Sequence, residues 1–467
     1  MSLVKPAHTI STYQHRRKRL ADWMRSQGGG IAVIPTGHSP LRSGHTPYPF
    51  RFDSQFYYLT GFTEPEAWLV LVATDTVTHS VLFCREKDPQ TEIWEGLCWG
   101  PNAAREAFGL DEAQDIASLD TWISKHLTGK GNLFLPLSRC AIADLPAQAT
   151  RWLASARQQA RGKQDVPLRW IDLTTELSHH RLIKDAEEIG TMREAARIAA
   201  IGHCQAMRAT RPGLTERALE AELLAVFLRA GAQSVAYETI VATGANACIL
   251  HHRAGHSVIG DQDLILIDAG CELDGYASDI TRTFPASGQF TGFQATLYDI
   301  VLAAQQAAIE QTRPGMTFND GHDAAIKVLT QGLIDVGFLS GDLDGNIEQG
   351  SYQRFYMHRT GHWLGLDVHD VGPYRHIDGG NVADKEEDPP WRLLEPGMVL
   401  TIEPGLYVRP ADDIDPRAWD IGIRIEDDAL ITPSGCELLT RDVPVDRQSI
   451  EQIMRDGGPG FTQAPGP

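Results

Sequence analysis

Along this chain the spacing of apolar positions switches between two periods, and the switches outline its elements. From residue 12 to 27, Tyr13, Arg17, Leu20 and Met24 recur on one face at helical spacing, predicting an opening helix. Ile31–Ile34, Trp68–Val72 and Val81–Phe83 are short apolar runs with the length and composition of buried strands. Helical stretches separate the later short strands, so the first part of the chain reads as an α/β domain. The polar segment 155–168 carries a glycine and a proline. It leads toward a domain boundary expected near residues 175–182.

Beyond that boundary the pattern repeats itself. Ala186–Thr210 is a long amphipathic stretch ending at Arg211-Pro212-Gly213, after which Thr215 is placed to cap a second helix running to about Gly231. A helix over 291–312 likewise ends at Arg313-Pro314-Gly315. Thr317 is then placed to cap another helix that runs to about Gly337. Matching turns between matching helices predict an internal duplication, and hence a pseudo-twofold domain with a site between its halves. Strand-like segments follow each helical pair: Tyr237–Ala242, Asp263–Ala269, Gly275–Phe284, Met398–Val408 and Gly422–Ile431. The expected organisation is an α/β domain over 1–178, a duplicated α+β domain over 179–446, and a flexible tail over 447–467 whose end is rich in Gly, Pro and Gln.

Bulk properties narrow the functional classes. The 467 residues suffice for two or three domains, and 42% hydrophobic content is that of a globular chain. No apolar run is long enough for a membrane span, and the basic patch Arg16–Arg19 is not followed by the apolar stretch of a secretory signal. A net charge of −19 repels nucleic-acid backbone. The seven cysteines are odd in number and form no C-x-x-C pair, arguing against a disulfide framework or a structural zinc site. Reduced thiols in a cytoplasmic protein, with no nucleic-acid or membrane partner, are the expectation.

The candidate chemistry lies in acids set at the ends of apolar runs. Asp268 and Asp279 flank Glu272-Leu273-Asp274-Gly275, which reads as a tight hairpin turn. A turn centred between Leu273 and Asp274 would set Asp268 directly opposite Asp279. Side chains so paired lie about 5 Å apart, and like charges there repel. Such a pair needs a cation or a proton, unless both acids simply sit exposed at strand ends. Glu403 closes a second apolar strand. Gly422, Arg424 and Glu426 share one face of a third. A glutamate there must be paired, either in a structural salt bridge or at a site. Histidines gather at His358, His362 and His369, with His251 further upstream. The four-residue spacing of His358 and His362 resembles that of a zincin, but Arg359 stands where the glutamate should be and Gly361 weakens a helix. Any single histidine is as readily structural. Taken together, Asp268, Asp279, His362, Glu403 and Glu426 form a ligand set for two divalent ions. Without cations, four clustered carboxylates would repel by several kcal/mol.

At these residues the sequence resembles the aminopeptidase P (Xaa-Pro aminopeptidase) family, pita-bread metallopeptidases related to prolidase and methionine aminopeptidase. Five segments carry the resemblance in order: Leu266–Glu272, Asp279–Phe284, His362–Gly372, Thr401–Tyr407 and Gly422–Asp427. Tyr57–Ala67 and Glu92–Trp94 match the family's N-terminal domain. The resemblance implies an α/β N-terminal domain followed by an α+β pita-bread catalytic domain with pseudo-twofold duplication. It implies that Asp279 and Glu426 bridge two metals, that Asp268 completes one, and that His362 with Glu403 completes the other. Manganese is the expected ion. His251 and His369 would contact substrate, His358 would line the proline pocket, and Arg424 would orient the carboxylates. The family likeness also suggests a homodimer or homotetramer in which Trp94 reaches a neighbouring active site. Arg359-Thr360-Gly361 departs from the smaller residues expected there, implying a different pocket wall near His358. Ser43–Tyr48 departs from the family's N-domain pattern, which has acidic residues before the tyrosine.

The expected reaction is removal of an N-terminal residue from peptides with proline second, by a hydroxide bridging the two ions, with Glu403 as general base. Trp363 and Tyr407 are candidates for the apolar proline pocket. Two alternatives stand beside this reading. One is a prolidase confined to Xaa-Pro dipeptides, and the other is a metal-free pita-bread binding module.

Overall fold

The computed structural model describes residues 3–137, 144–160, 165–376 and 388–457, in two compact units, Met1–Arg181 and Leu182–Pro467. The first unit opens with α1 (Ile10–Ser26), whose Tyr13, Arg17, Leu20 and Met24 are buried. Arg17 is accommodated because its guanidinium donates to the carbonyls of Leu59 (2.8 Å) and Gly109 (2.6 Å). Besides a short two-stranded pair at Leu41–Ser43 and Thr46–Pro47, six strands follow: β1 (Gly30–Pro35), β2 (Trp68–Ala73), β3 (Thr78–Cys84), β4 (Glu112–Asp115), β5 (Asn132–Leu135) and β6 (Arg169–Asp172). They form one mixed sheet in the order β4-β3-β2-β1-β5-β6. The central strands β1 and β2 are buried along their whole length, which is why they read as continuous apolar runs rather than alternating ones.

The second unit is built on the repeated turn. α2 (Ala186–Ala209) begins with a capping box between Asp185 and Glu188, and α3 (Glu216–Arg229) is capped by Thr215. In the second half, α4 (Gly292–Gln311) is followed by α5 (Asp320–Asp335). The two Arg-Pro-Gly turns make equivalent backbone pairings. Gly213 N donates to Ile259 O (2.9 Å) and Ile259 N to Leu214 O (2.8 Å); Gly315 N donates to Leu394 O (3.3 Å) and Leu394 N to Met316 O (2.8 Å). Both glycines take positive φ, +89° and +85°, where a side chain would be strained. The halves differ at the second cap. Thr317 does not cap α5; its backbone N–H instead donates to Asp320 (2.6 Å), and the helix starts two residues later than Thr317 would place it.

The strands of this unit include β7 (Ile240–Thr243), β8 (Leu264–Asp268), β9 (Cys271–Leu273), β10 (Tyr276–Ala277) and β11 (Thr281–Pro285), then β12 (Val399–Ile402), β13 (Gly405–Val408), β14 (Ile421–Arg424), β15 (Asp427–Thr432) and β16 (Gly435–Leu438), besides a short strand Ser234–Val235 that pairs with β9. β7-β8-β11 and β12-β15-β16 form two three-stranded sheets, and β13 pairs with β14. Three of the expected long strands are therefore broken, at 278–280, at Glu403-Pro404 and at Ile425-Glu426.

Two expectations are corrected. The hairpin turn centres on Asp274-Gly275, not on Leu273-Asp274, and both residues take positive φ (+48° and +81°). That is the geometry of a two-residue type I′ turn, which Asp-Gly favours and which would strain leucine. The pairing consequently places Asp268 opposite Thr281. Asp279 lies two positions further toward the turn, and Ser278 is so close to Gly270 that a Cβ on Gly270 would lie 1.7 Å from Ser278 O. The expected tail is also not flexible throughout. Arg447–Arg455 forms a helix, α6, capped by Asp446, with Ile450 fully buried. Ile450, Ile453 and Met454 share its inner face, a helical pattern that the Gly/Pro-rich end obscures. Residues 458–467, like Cys140 and part of 155–168, lie outside the described residues.

Candidate active site

A cavity of about 780 Å³ in the second unit is lined by Asp268, Asp279, His362, Glu403 and Glu426, and also by His251, His358, His369 and Arg424. Each acid sits at a strand end or break. Asp268 ends β8, Asp279 lies between β10 and β11, Glu403 between β12 and β13, and Glu426 between β14 and β15. At a break the side chain escapes the pleat of the sheet and turns into the cavity. Candidate ligand atoms of Asp279, His362 and Glu426 all lie within 4.8 Å of one another. His362 Nε2 is 3.5 Å from Asp279 and 3.8 Å from Glu403. Its Nδ1 donates to Trp363 O (3.0 Å), which fixes the ring with Nε2 toward the acids.

The carboxylates are oriented from behind. Arg424, almost fully buried, donates through Nη2 to Asp268 (2.6 Å), through Nε to Thr281 Oγ1 (3.2 Å) and through Nη1 to the Tyr407 hydroxyl (2.9 Å). Thr281 in turn donates to Glu426 (2.6 Å). The Tyr237 hydroxyl spans Asp268 (2.6 Å) and Asp279. Behind this layer, Arg282 on β11 forms a fully buried ion pair with Asp427 on β15 (2.8 Å). It also donates to Glu426 O (2.5 Å) and Val443 O (3.0 Å).

The electrostatics are those of a site short of positive charge. Burial, reinforced by the neighbouring Asp279 and Asp268, pushes the Glu403 carboxyl up to about 7 against the pull of His362 and Arg424. Burial and the charges of Asp279, Glu403 and Asp268 push Glu426 well above the usual carboxylate range, and Asp279 rises as well. Burial alone would lower His362, but Asp279 and Glu403 outweigh it and lift it to about 9. Acids this close cannot all ionise unless cations enter, and four carboxylates with one imidazole match the donors of divalent ions. The residues therefore fit a metal centre.

His358 is held neutral. Burial first, and then Arg424, push it down to about 4. Its Nδ1 donates to Arg359 O (2.7 Å), while Nε2 accepts from Tyr407 (2.8 Å). The His369 ring lies 4.1 Å from that of His362, tilted at 55° to it, and His369 is lowered by burial and by its histidine neighbours.

Two pocket candidates are corrected. Trp363 is fully buried and stacks at 9° on Tyr374 behind the wall rather than in it. Tyr407 is also fully buried, and its hydroxyl is occupied between Arg424 and His358. The apolar surface facing the cavity comes instead from Phe318, Tyr374, Trp391, Val368, Leu250 and Ile240. Arg359 lies over Trp391, 4.9 Å from its ring, and donates to Asn319, so the wall near His358 is cationic. Trp94 stands on the helix Pro89–Glu95 of the first unit and is 88% exposed. Sequence reasoning missed Tyr237, Thr281 and Phe318. Tyr237 heads a strand-like segment and Phe318 follows the repeated turn by one residue, so position was the available signal.

Residues 190–433 match metallopeptidase family M24, and residues 13–134 match the aminopeptidase P N-terminal domain. The chain is 41% identical to the Xaa-Pro aminopeptidase of Escherichia coli K12 over 443 residues, covering 95% of this chain and 97% of the relative. It is 30% identical to Xaa-Pro aminopeptidase 3 of Homo sapiens, covering 96% and 87%. The Pseudomonas aeruginosa aminopeptidase PepP superimposes with a TM-score of 0.91 at 43% identity, covering 96% of this chain and 99% of that one. Zinc-substituted E. coli aminopeptidase P in complex with product gives 0.90 at 39% identity, covering 97% and 100%. Fold and site together define an M24 metallopeptidase, a metal-dependent hydrolase with a pita-bread catalytic domain. The chain belongs to the aminopeptidase P family.

Proposed function

We propose that this chain hydrolyses the bond between an N-terminal residue and a penultimate proline, with two divalent cations held by Asp268, Asp279, His362, Glu403 and Glu426. The observation that carries this reading is the convergence of those five side chains, from three strand breaks, one strand end and one loop, on a single cavity. When bound, the cations would lower the pKa of a water molecule and polarise the scissile carbonyl. The mainly oxygen donors suit manganese or magnesium, and the family resemblance makes manganese our expected ion.

The chain's own groups supply the remainder. Glu403 accepts the proton of the attacking water and returns one to the proline nitrogen. Asp279 and Glu426, together with Asp268 and His362, would hold the cations. Arg424 and Thr281 fix the orientation of Asp268 and Glu426, so little reorganisation is needed during reaction. His251 and His369 reach the cavity as hydrogen-bond donors for the developing oxyanion. Phe318, Tyr374 and Trp391 offer the flat apolar wall a pyrrolidine ring requires. An Xaa-Pro bond carries no amide N–H, so a wall without an acceptor at that point leaves nothing unpaired.

The test is cleavage of an Xaa-Pro-Xaa tripeptide, an Xaa-Pro dipeptide and an Xaa-Ala-Xaa control, with and without added manganese. Release of the first residue from the proline tripeptide alone is expected. Activity confined to the dipeptide would replace this reading with a prolidase. Metal-loaded protein that cleaves none of the three would leave a binding module.

A further inference from the structure

Glu216 opens α3, yet Thr215 already caps that helix, and the Glu216 side chain turns away from it. The residue is fully buried. Its carboxylate accepts four hydrogen bonds, two at each oxygen. Oε1 accepts from Thr243 N (3.0 Å) and Asn246 Nδ2 (2.8 Å), and Oε2 from His252 Nε2 (2.9 Å) and Gly255 N (3.0 Å). The first pair lies where β7 ends, and the second lies beyond His251. One side chain therefore pins both ends of the 243–255 loop. The backbone adds to this: Glu216 N donates to Ser257 O (3.1 Å) and Arg217 N to Gly255 O (3.0 Å). Between the pinned ends, Leu250, His251, His252 and Arg253 line the cavity. Burial acts to raise the Glu216 carboxyl, but hydrogen bonds from His252, Thr243, Asn246 and Gly255 outweigh it and hold the group below its ordinary range. An ionised carboxylate offers four acceptor sites, and all four are used here. An amide of the same size would turn a donor toward donors.

We propose that Glu216 is a positioning residue that acts through His252 and the pinned loop to hold His251 in place over the reacting carbonyl. The inference rests on the proposed Xaa-Pro hydrolysis. The substrate never meets Glu216, so its influence is on turnover rather than on binding.

The experiment is a double-mutant cycle on the manganese-loaded full chain with the Xaa-Pro-Xaa tripeptide. Glu216→Gln is expected to lower kcat by roughly 10- to 100-fold, the cost of displacing a catalytic group by about an ångström. KM should move by less than about threefold and metal content should stay unchanged, because the ligands are untouched. In a His251→Ala background the same substitution should cost less than about twofold, since its target is gone. Equal losses in both backgrounds would overturn the proposal. Should Glu216→Gln fail to fold, His252 provides the second route. His252→Gln keeps a donor to Glu216 and should stay within about threefold of wild type, whereas His252→Leu should lose about tenfold or more. Equal kcat in those two variants would overturn the proposal as well. An inactive wild type would instead sink the functional reading, and this inference with it.

Discussion

Replacing Glu403 with glutamine should cost activity and yet stabilise the cation-free protein. The carboxylate is largely enclosed, with 18% side-chain exposure, and lies 3.8 Å from His362. Burial, with the charges of Asp279 and Asp268, raises it from 4.5 to about 7. Ionising it in the folded state therefore costs about 3 kcal/mol more than in the unfolded chain. Because the folded value lies above the unfolded one, its contribution is fully favourable below pH 4.5 and is lost as the pH rises through 7. Glutamine has the same shape and no charge to desolvate. At pH 5 the cation-free variant and wild type should unfold at similar denaturant concentration. By pH 8 the variant should be the more stable by up to about 3 kcal/mol. With manganese restored, turnover of an Xaa-Pro-Xaa peptide should fall by about 10²- to 10⁴-fold. Paired denaturation curves on chelated protein at the two pH values, with kcat on the reloaded enzyme, test both halves. A variant less stable than wild type at pH 8 would refute the electrostatic argument, and near-normal turnover would remove Glu403 from the role of base.

Other predictions bear on the same frame. Arg424→Met leaves the largely enclosed Asp268 without its cationic partner and should destabilise the protein by about 3 kcal/mol, read from chemical denaturation. His203 is fully buried, donates to Ala269 O (2.9 Å) beside Asp268, and is held by burial at about 4. Its folded value is depressed, so its contribution of about 3 kcal/mol is complete above pH 6.5 and is lost as the pH falls toward 4. His203→Gln keeps a donor and should flatten the acid limb of a Tm-against-pH profile. Ile450→Ala should cost about 2–4 kcal/mol by thermal or chemical unfolding if α6 is docked as described, and almost nothing if that segment is a loose tail.

How far the sequence could be read follows from where each signal resides. Apolar periodicity is carried by local spacing, so α1, β1, β2 and the two helical pairs were legible, as was the turn repeat that aligns the halves. The five acid and imidazole positions were legible because charge at the end of an apolar run is costly and so conspicuous. Register was not legible without turn chemistry. Asp274-Gly275 tolerates two positive φ angles where leucine does not, and that alone moves Asp268 from Asp279 to Thr281. The pocket wall was least legible. Trp363 and Phe318 are both buried aromatics, and only packing between distant segments decides which faces the cavity. Glu216 gave no signal at all, since its four donors are contributed by residues 243–255.

Arg282 has one further consequence. It reaches from a strand of the first half to a carboxylate and three carbonyls of the second, those of Glu426, Val443 and Pro444, and it is fully buried. Any motion that parted the halves would strand a bare guanidinium and a bare carboxylate in a low-dielectric gap, at a cost of several kcal/mol. Peptides must then enter and leave by the mouth of the cavity, past loops such as 243–255, rather than through a clam-shell opening. Differences in peptide length preference among such enzymes would accordingly reside in the rim, while the cation-binding floor stays rigid.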